Sequence, residues 1–109
     1  MTDAISDLAA PHCRAGAPRL PEDQLKAALA VLPGWIRTGE RIEKTFRFPD
    51  YYRTMAFVNA VASIAHREDH HPDLEVHYDR CVVAWSTHSA SGITQNDCIC
   101  AAKVEAFVA

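Results

Sequence analysis

The chain has 109 residues, enough for one domain that buries a hydrophobic core without disulfides or metal. Its apolar share of 49% and charged share of 23% are those of an ordinary globular protein, which excludes a disordered or fibrous chain. A net charge of −3 with no Lys/Arg cluster excludes a nucleic-acid footprint, and no apolar run is long enough to span a bilayer.

The N-terminal stretch MTDAISDLAAPHCR lacks the basic start and apolar core of a signal peptide, so a cytoplasmic location is expected. Residues 1–18 hold no sustained periodicity and read as a flexible arm, with 19–109 as a single domain. A first helix is predicted from about Pro21 to Leu32. Proline suits the first turn, and Glu22 and Asp23 complement the positive end of the dipole. Leu25, Ala28, Leu29 and Leu32 share a face, and Pro33-Gly34 ends the helix.

Trp35 and Ile36 begin a short strand that turns at Thr38-Gly39-Glu40. RIEKTFRF then alternates, with Ile42, Phe46 and Phe48 on one side and Arg41, Glu43, Thr45 and Arg47 on the other. Lys44 falls on the apolar side, which suggests a nearby sheet edge. Asp50 is a good N-cap for a second long helix, Tyr51 to about Asp69. Its face is Met55, Val58, Ala62 and Ala65, widened by Phe57, Val61 and Ile64. Pro72 drives His71 out of the helical region.

Leu74, Val76 and Tyr78 alternate in a third strand, with Asp79-Arg80 as a tight hairpin. CVVAWSTH is the fourth strand, apolar enough for burial on both faces, with Ser86 and His88 on one side and Thr87 on the other. Thr94-Gln-Asn-Asp97 resembles a capping box for a last helix bearing Ile99, Ala102, Ala106 and Phe107 on one face. Strand pairs between helices predict an α+β domain: a four-stranded antiparallel sheet with three helices on one face, ordered α-β-β-α-β-β-α. An apolar outer sheet face would need a partner.

The four cysteines, 13, 81, 98 and 100, are read as free thiols, because a cytosolic chain of this size needs no disulfide. The C-x-C at 98–100 does not have the spacing of common structural zinc sites. No G-x-S-x-G and no glycine-rich phosphate loop is present, so neither a serine hydrolase nor a nucleotide enzyme is supported.

Three of the six histidines fall in HREDHHP, residues 66–72, and His88 follows on the fourth strand. His66 and His70 have metal-ligand spacing, yet H-x-E-x-H is no recognised ligand motif, and no metal site is assigned. Two readings remain. Histidine is favourable at a helix C-terminus. Imidazole also takes and gives protons near neutral pH, which suits dehydration, hydration or isomerisation.

The spacing His66-x3-His70-His71-Pro72, then Tyr78, His88 and Asp97, resembles the signature of the pterin-4a-carbinolamine dehydratase family (4a-hydroxytetrahydrobiopterin dehydratase). Gly34-Trp35, Phe46-x-Phe48, Asp50-Tyr51 and Ser86-Thr87-His88 fit as flanks, and the likeness covers about residues 20–108. The resemblance implies the same sheet-and-helix fold, forming dimers and often tetramers. It implies dehydration of 4a-hydroxytetrahydropterin to quinonoid dihydropterin, recycling the cofactor of aromatic amino-acid hydroxylases, with no metal or organic cofactor. His70, His71 and His88 become the catalytic histidines. His70 and His88 serve as the acid–base pair, and His71 binds substrate or stabilises the leaving hydroxyl. His66, Ser86, Thr87 and Asp97 become substrate-binding residues. Asp97 equally caps its helix, and Tyr78 equally serves as a core or hairpin aromatic. The chain departs from the family in carrying His66 where many members have an acid, and Asn96 where some have arginine. The alternatives are a non-catalytic dimerisation or assembly module, and action on another pterin such as a molybdopterin precursor.

Overall fold

Two antiparallel hairpins and their crossing pair build the sheet. In the computed structural model, which describes residues 3–109, the elements run α1 (Ala4–Ala9), α2 (Glu22–Val31), β1 (Ile36–Thr38), β2 (Arg41–Arg47), α3 (Tyr51–Glu68), β3 (Asp73–Val76), β4 (Arg80–Trp85) and α4 (Gln95–Val108). The sheet order is β1-β2-β4-β3, all antiparallel. The α+β class and the order of its long elements are those the alternation predicts. No helix among the described residues is long and apolar enough to cross a membrane.

Register decides which face is core. Ile42 lies opposite Trp85, Lys44 opposite Val83, and Phe46 opposite Cys81, with Leu74 and Val76 continuing that face on β3. Ile42, Cys81, Val83 and Trp85 are fully buried there under α3 and α4. Each such large apolar side chain contributes about 1.5–3 kcal/mol. The other face carries Arg41, Glu43, Thr45, Arg47, Asp73 and Glu75 around Val82, so it is largely charged.

Lys44 does not mark an edge. β2 is an interior strand. The Lys44 ammonium reaches 2.9 and 3.0 Å from the two carboxylate oxygens of Glu105 on α4 and also donates to the Pro33 carbonyl. Trp35 Nε1 donates to the same carboxylate. The charge is tolerated inside because it is paired.

Other details differ from the sequence reading. The fourth strand ends at Trp85; Thr87 bridges to Gly92, and His88 opens a 3₁₀ turn through Ala90, so 86–88 do not alternate as a strand. The β3–β4 turn closes with the His77 N–H on the Arg80 carbonyl, which puts Tyr78-Asp79 at its tip. Tyr78 is exposed there. On α3 the buried residues are Thr54, Phe57, Val61, Ile64, Ala65 and Glu68, so Ala65 and the three widening residues read in the sequence are core, while Ala62 is exposed. The predicted face is wide, and packing against β4 and α4 centres it on its Phe57–Val61–Ile64 side.

The segment before Pro21 contains α1, capped by the Asp3 side chain on the Ser6 N–H. Leu8, Ala9 and Cys13 pack against the core. Lys103 on α4 donates to the Ala9 carbonyl. With the sheet on one side and this segment on another, α4 is buried nearly all round from Asn96 to Glu105, so Ile99 and Ala102 are covered within the chain.

Candidate active site

The histidines are placed by how α3 ends. Asp69 adopts a left-handed conformation (φ 50°) beyond Glu68. The His70 N–H bonds the Ala65 carbonyl, and the Asp69 N–H bonds that of His66. This is a Schellman ending with aspartate where glycine is usual. It reverses the chain, so His66 stays on the exposed helix face while His70 and His71 point elsewhere. The helix does not reach His70, and the pair does not share a helical face.

His70 turns inward. Its ring stacks on Trp85 with centroids 5.6 Å apart and planes 16° apart. Its Nε2 lies 2.6 Å from Asp97 Oδ1. Asp97 is fully buried at the start of α4. Its Oδ2 accepts from the Thr94 N–H at 2.8 Å and from the Thr87 hydroxyl at 2.9 Å. Three donors and the positive end of a helix dipole thus hold a buried negative charge.

The hydroxyl protons follow from this pattern. Thr87 gives its single proton to Asp97. The Thr87–Thr94 contact of 2.8 Å therefore runs with Thr94 donating, and the Thr94 oxygen accepts from the Asn96 N–H. The capping box read in the sequence is present, and the same carboxylate also grips His70. An ionised Asp97 requires a proton on His70 Nε2, which leaves Nδ1 as the acceptor nitrogen of a neutral ring.

A cleft of about 270 Å³ opens beside this array, lined by His70, His71, His88, Ser86 and Thr87, with Asp69, Asp73 and Ser89. Five of the seven residues expected at the site meet there. Asp97 lies behind His70. His66 lines a neighbouring hollow on the other side of the His70–His71 pair, with Pro72 and Leu74. Thr94 and Trp85, read in the sequence only as a helix cap and a strand residue, also support the site. The capping box could have flagged Thr94, because its hydroxyl must bond something; no local signal marks Trp85 as the ring's stacking partner.

A larger hollow, about 460 Å³, lies between the arm, α3 and α4. Its Glu68 carboxylate is already engaged by the Cys13 N–H at 2.7 Å and His12 at 2.8 Å, with Lys103 at 3.8 Å. Burial alone would raise the Glu68 pKa; these partners outweigh it and hold the carboxyl below its usual range. That group anchors the arm. The smaller cleft brings three histidines together beside a buried carboxylate, an arrangement chemically able to take and give protons.

The family profile described as pterin 4 alpha carbinolamine dehydratase matches residues 18–107. A Xanthomonas campestris pv. campestris protein named for pterin-4-alpha-carbinolamine dehydratase is 58% identical, over 95% of this chain and 92% of its own. A Stenotrophomonas maltophilia protein with the same name is also 58% identical, over 82% of this chain and 78% of its own. A crystal structure from Brucella melitensis described as a transcriptional coactivator/pterin dehydratase superposes with a TM-score of 0.80 at 34% identity, covering 84% of this chain and 99% of that one. A pterin dehydratase-like protein described as a RuBisCO assembly factor of the alpha-carboxysome is similar in fold alone, with a TM-score of 0.55 at 20% identity, over 66% of this chain and 83% of its own. The profile match and the 58% identity establish that the chain belongs to the pterin 4 alpha carbinolamine dehydratase family.

Proposed function

We propose that the protein dehydrates a 4a-hydroxytetrahydropterin to the quinonoid dihydropterin and water. The reaction removes the N5 proton, forms the C4a–N5 double bond and breaks the C4a–O bond, the oxygen leaving with a proton as water. The observation that carries this reading is the His70–Asp97 pair facing a cleft that also holds His71 and His88.

The roles follow from exposure and hydrogen bonding. His70, its Nε2–H fixed on Asp97, offers Nδ1 as the base for the N5 proton. Asp97 holds the ring and stabilises the imidazolium that forms. His88, exposed at the cleft rim, donates to the departing hydroxyl. His71, exposed beside His70, binds the pterin or stabilises that hydroxyl. Ser86 and Thr87 border the bound ring, and His66 contacts it from the adjoining hollow. The product would return to the pterin pool of aromatic amino-acid hydroxylases.

The test is stopped-flow absorbance of enzymatically generated 4a-hydroxytetrahydropterin, with wild type beside folded His70→Ala and His88→Ala. Acceleration over the spontaneous rate, reduced about 10²–10⁴-fold in each variant, is expected for an acid–base pair. A folded wild type that leaves the spontaneous rate unchanged overturns the reading.

A further inference from the structure

The segment preceding residue 18 lies outside the family profile. The Brucella chain is matched over 99% of its length while only 84% of this chain is matched to it. Yet the segment is held against the domain beside the histidines. Asn96, 7% exposed and adjacent to Asp97, binds one arm residue at both ends of its backbone. Its Oδ1 accepts from the Arg14 N–H at 3.1 Å, and its Nδ2 donates to the Arg14 carbonyl at 2.8 Å. The preceding residue, Cys13, is anchored by its N–H on buried Glu68.

These bonds make Arg14–Ala17 one wall of a hollow of about 170 Å³. Its other side is formed by Asp69, His70, Thr87 and Ser89, which also line the histidine cleft. The two spaces therefore adjoin around His70, one for the reacting ring and one beside it. The second, at about 170 Å³, is the smaller of the two and has room for a short ring substituent.

Its chemistry is polar on both sides. Arg14 supplies guanidinium donors, Asp69 a carboxylate acceptor, and Ser89 a hydroxyl that does either. An anionic substituent would meet Asp69, and an alkyl one would find mainly Ala15 and Ala17. A hydroxyl group satisfies both partners, because it donates to the acid and accepts from the base.

Resting on the dehydratase reading above, we propose that Arg14–Ala17 form a subsite for the ring substituent of the pterin, and that Arg14 makes the enzyme favour a hydroxylated substituent. The arm is then a specificity element added to the family domain, with Asn96 as its positioning residue.

The test uses the full chain and two substrates, 4a-hydroxytetrahydropterins carrying a dihydroxypropyl or a methyl group on the same ring carbon. In wild type, kcat/KM favours the hydroxylated substrate. Arg14→Ala lowers the ratio of the two kcat/KM values about tenfold, mainly through KM, as for a lost charge-assisted hydrogen bond. Arg14→Lys, which keeps the charge, falls between. Arg14 is exposed, so both variants fold, with circular dichroism as the check. A ratio unchanged in Arg14→Ala, with wild type active on both substrates, overturns the subsite alone. Wild type inactive on both overturns the dehydratase reading and this inference with it.

Discussion

His70 Nε2 and Asp97 Oδ1 stand 2.6 Å apart, and the carboxylate is fully buried while the ring borders the cleft. The pair fixes which nitrogen of His70 carries the proton. Asp97→Asn should break this. Its amide keeps one oxygen, and turning that oxygen toward the Thr94 N–H and Thr87 hydroxyl puts an NH₂ against His70. The ring must then accept at Nε2, its proton moves to Nδ1, and the base is lost. A kcat loss on the order of 10²–10⁴-fold is expected, as when an orienting carboxylate is neutralised elsewhere. Nitrogen-15 NMR of the imidazole should report the changed tautomer in a folded protein. An unchanged tautomer with normal kcat would sink the assignment.

His66 tests the geometry from the other side. It is exposed on α3 and borders a separate hollow, not the histidine cleft. His66→Ala should therefore lower kcat/KM by less than about tenfold, and through KM, whereas loss of an acid–base group costs about 10²–10⁴-fold in kcat. Equal kcat losses for His66→Ala and His70→Ala would place the chemistry between the two hollows.

Much of this was legible in sequence because local rules and tertiary needs agree. Strand alternation, the Asp50 cap and the Thr94–Asp97 capping box each depend on neighbours in the chain, and each is present. The family spacing picked out six of the nine residues that line the cleft or bond to His70, namely His70, His71, Ser86, Thr87, His88 and Asp97. The missed three are Ser89 and the acids Asp69 and Asp73; the acids flank the histidines in sequence, but acids there read equally as solvated, and a serine beside His88 carries no signal of its own. What stayed hidden depends on contacts across the chain. Lys44 looked like an edge signal because its partner is 61 residues away. The arm lacked periodicity because α1 is only six residues long and buries no residue fully.

The Glu68 anchor should make the arm sensitive to acid. Burial raises the Glu68 pKa, but the Cys13 N–H, His12 and Lys103 lower it further, so the net shift is downward. A carboxyl depressed in the folded state stabilises above its unfolded pKa and loses that contribution as pH falls through the folded value. Arm docking should thus hold at neutral pH and weaken below the ordinary value of 4.5. Hydrogen exchange of residues 3–17 against pH measures it. In Glu68→Gln, which has no charge to titrate, the acid-dependent rise should vanish.

Thiol reactivity should separate the cysteines. Cys81, Cys98 and Cys100 are buried, and burial with the nearby Asp97 charge pushes Cys98 up to about 12. Contact with Cys13, then burial, drives Cys100 higher still. The three buried thiols are shielded from reagent, so Cys13, the partly exposed one, should be alkylated first. Mass spectrometry after brief iodoacetamide treatment counts the labels; rapid labelling of a second cysteine in folded protein would contradict the packing of α4.

The Lys44–Glu105 pair should matter more to folding than to catalysis. Glu105 is 6% exposed and accepts from both Lys44 and Trp35 Nε1. Glu105→Ala leaves the indole N–H without its acceptor and an ammonium that keeps the Pro33 carbonyl, the Phe46 ring face at 4.9 Å and partial solvent contact. The cost should be about 3 kcal/mol, near the lower end for breaking a buried pair because Lys44 retains 20% exposure. In a domain of this size that lowers Tm by roughly 12–20 °C. Adding Lys44→Met removes the stranded charge and should recover part of the loss, the orphaned indole accounting for about 1 kcal/mol or more of what remains. Thermal unfolding of the two single variants and the double variant closes the cycle. Additive losses would mean that the two charges do not interact, and that Glu105 acts through Trp35 alone.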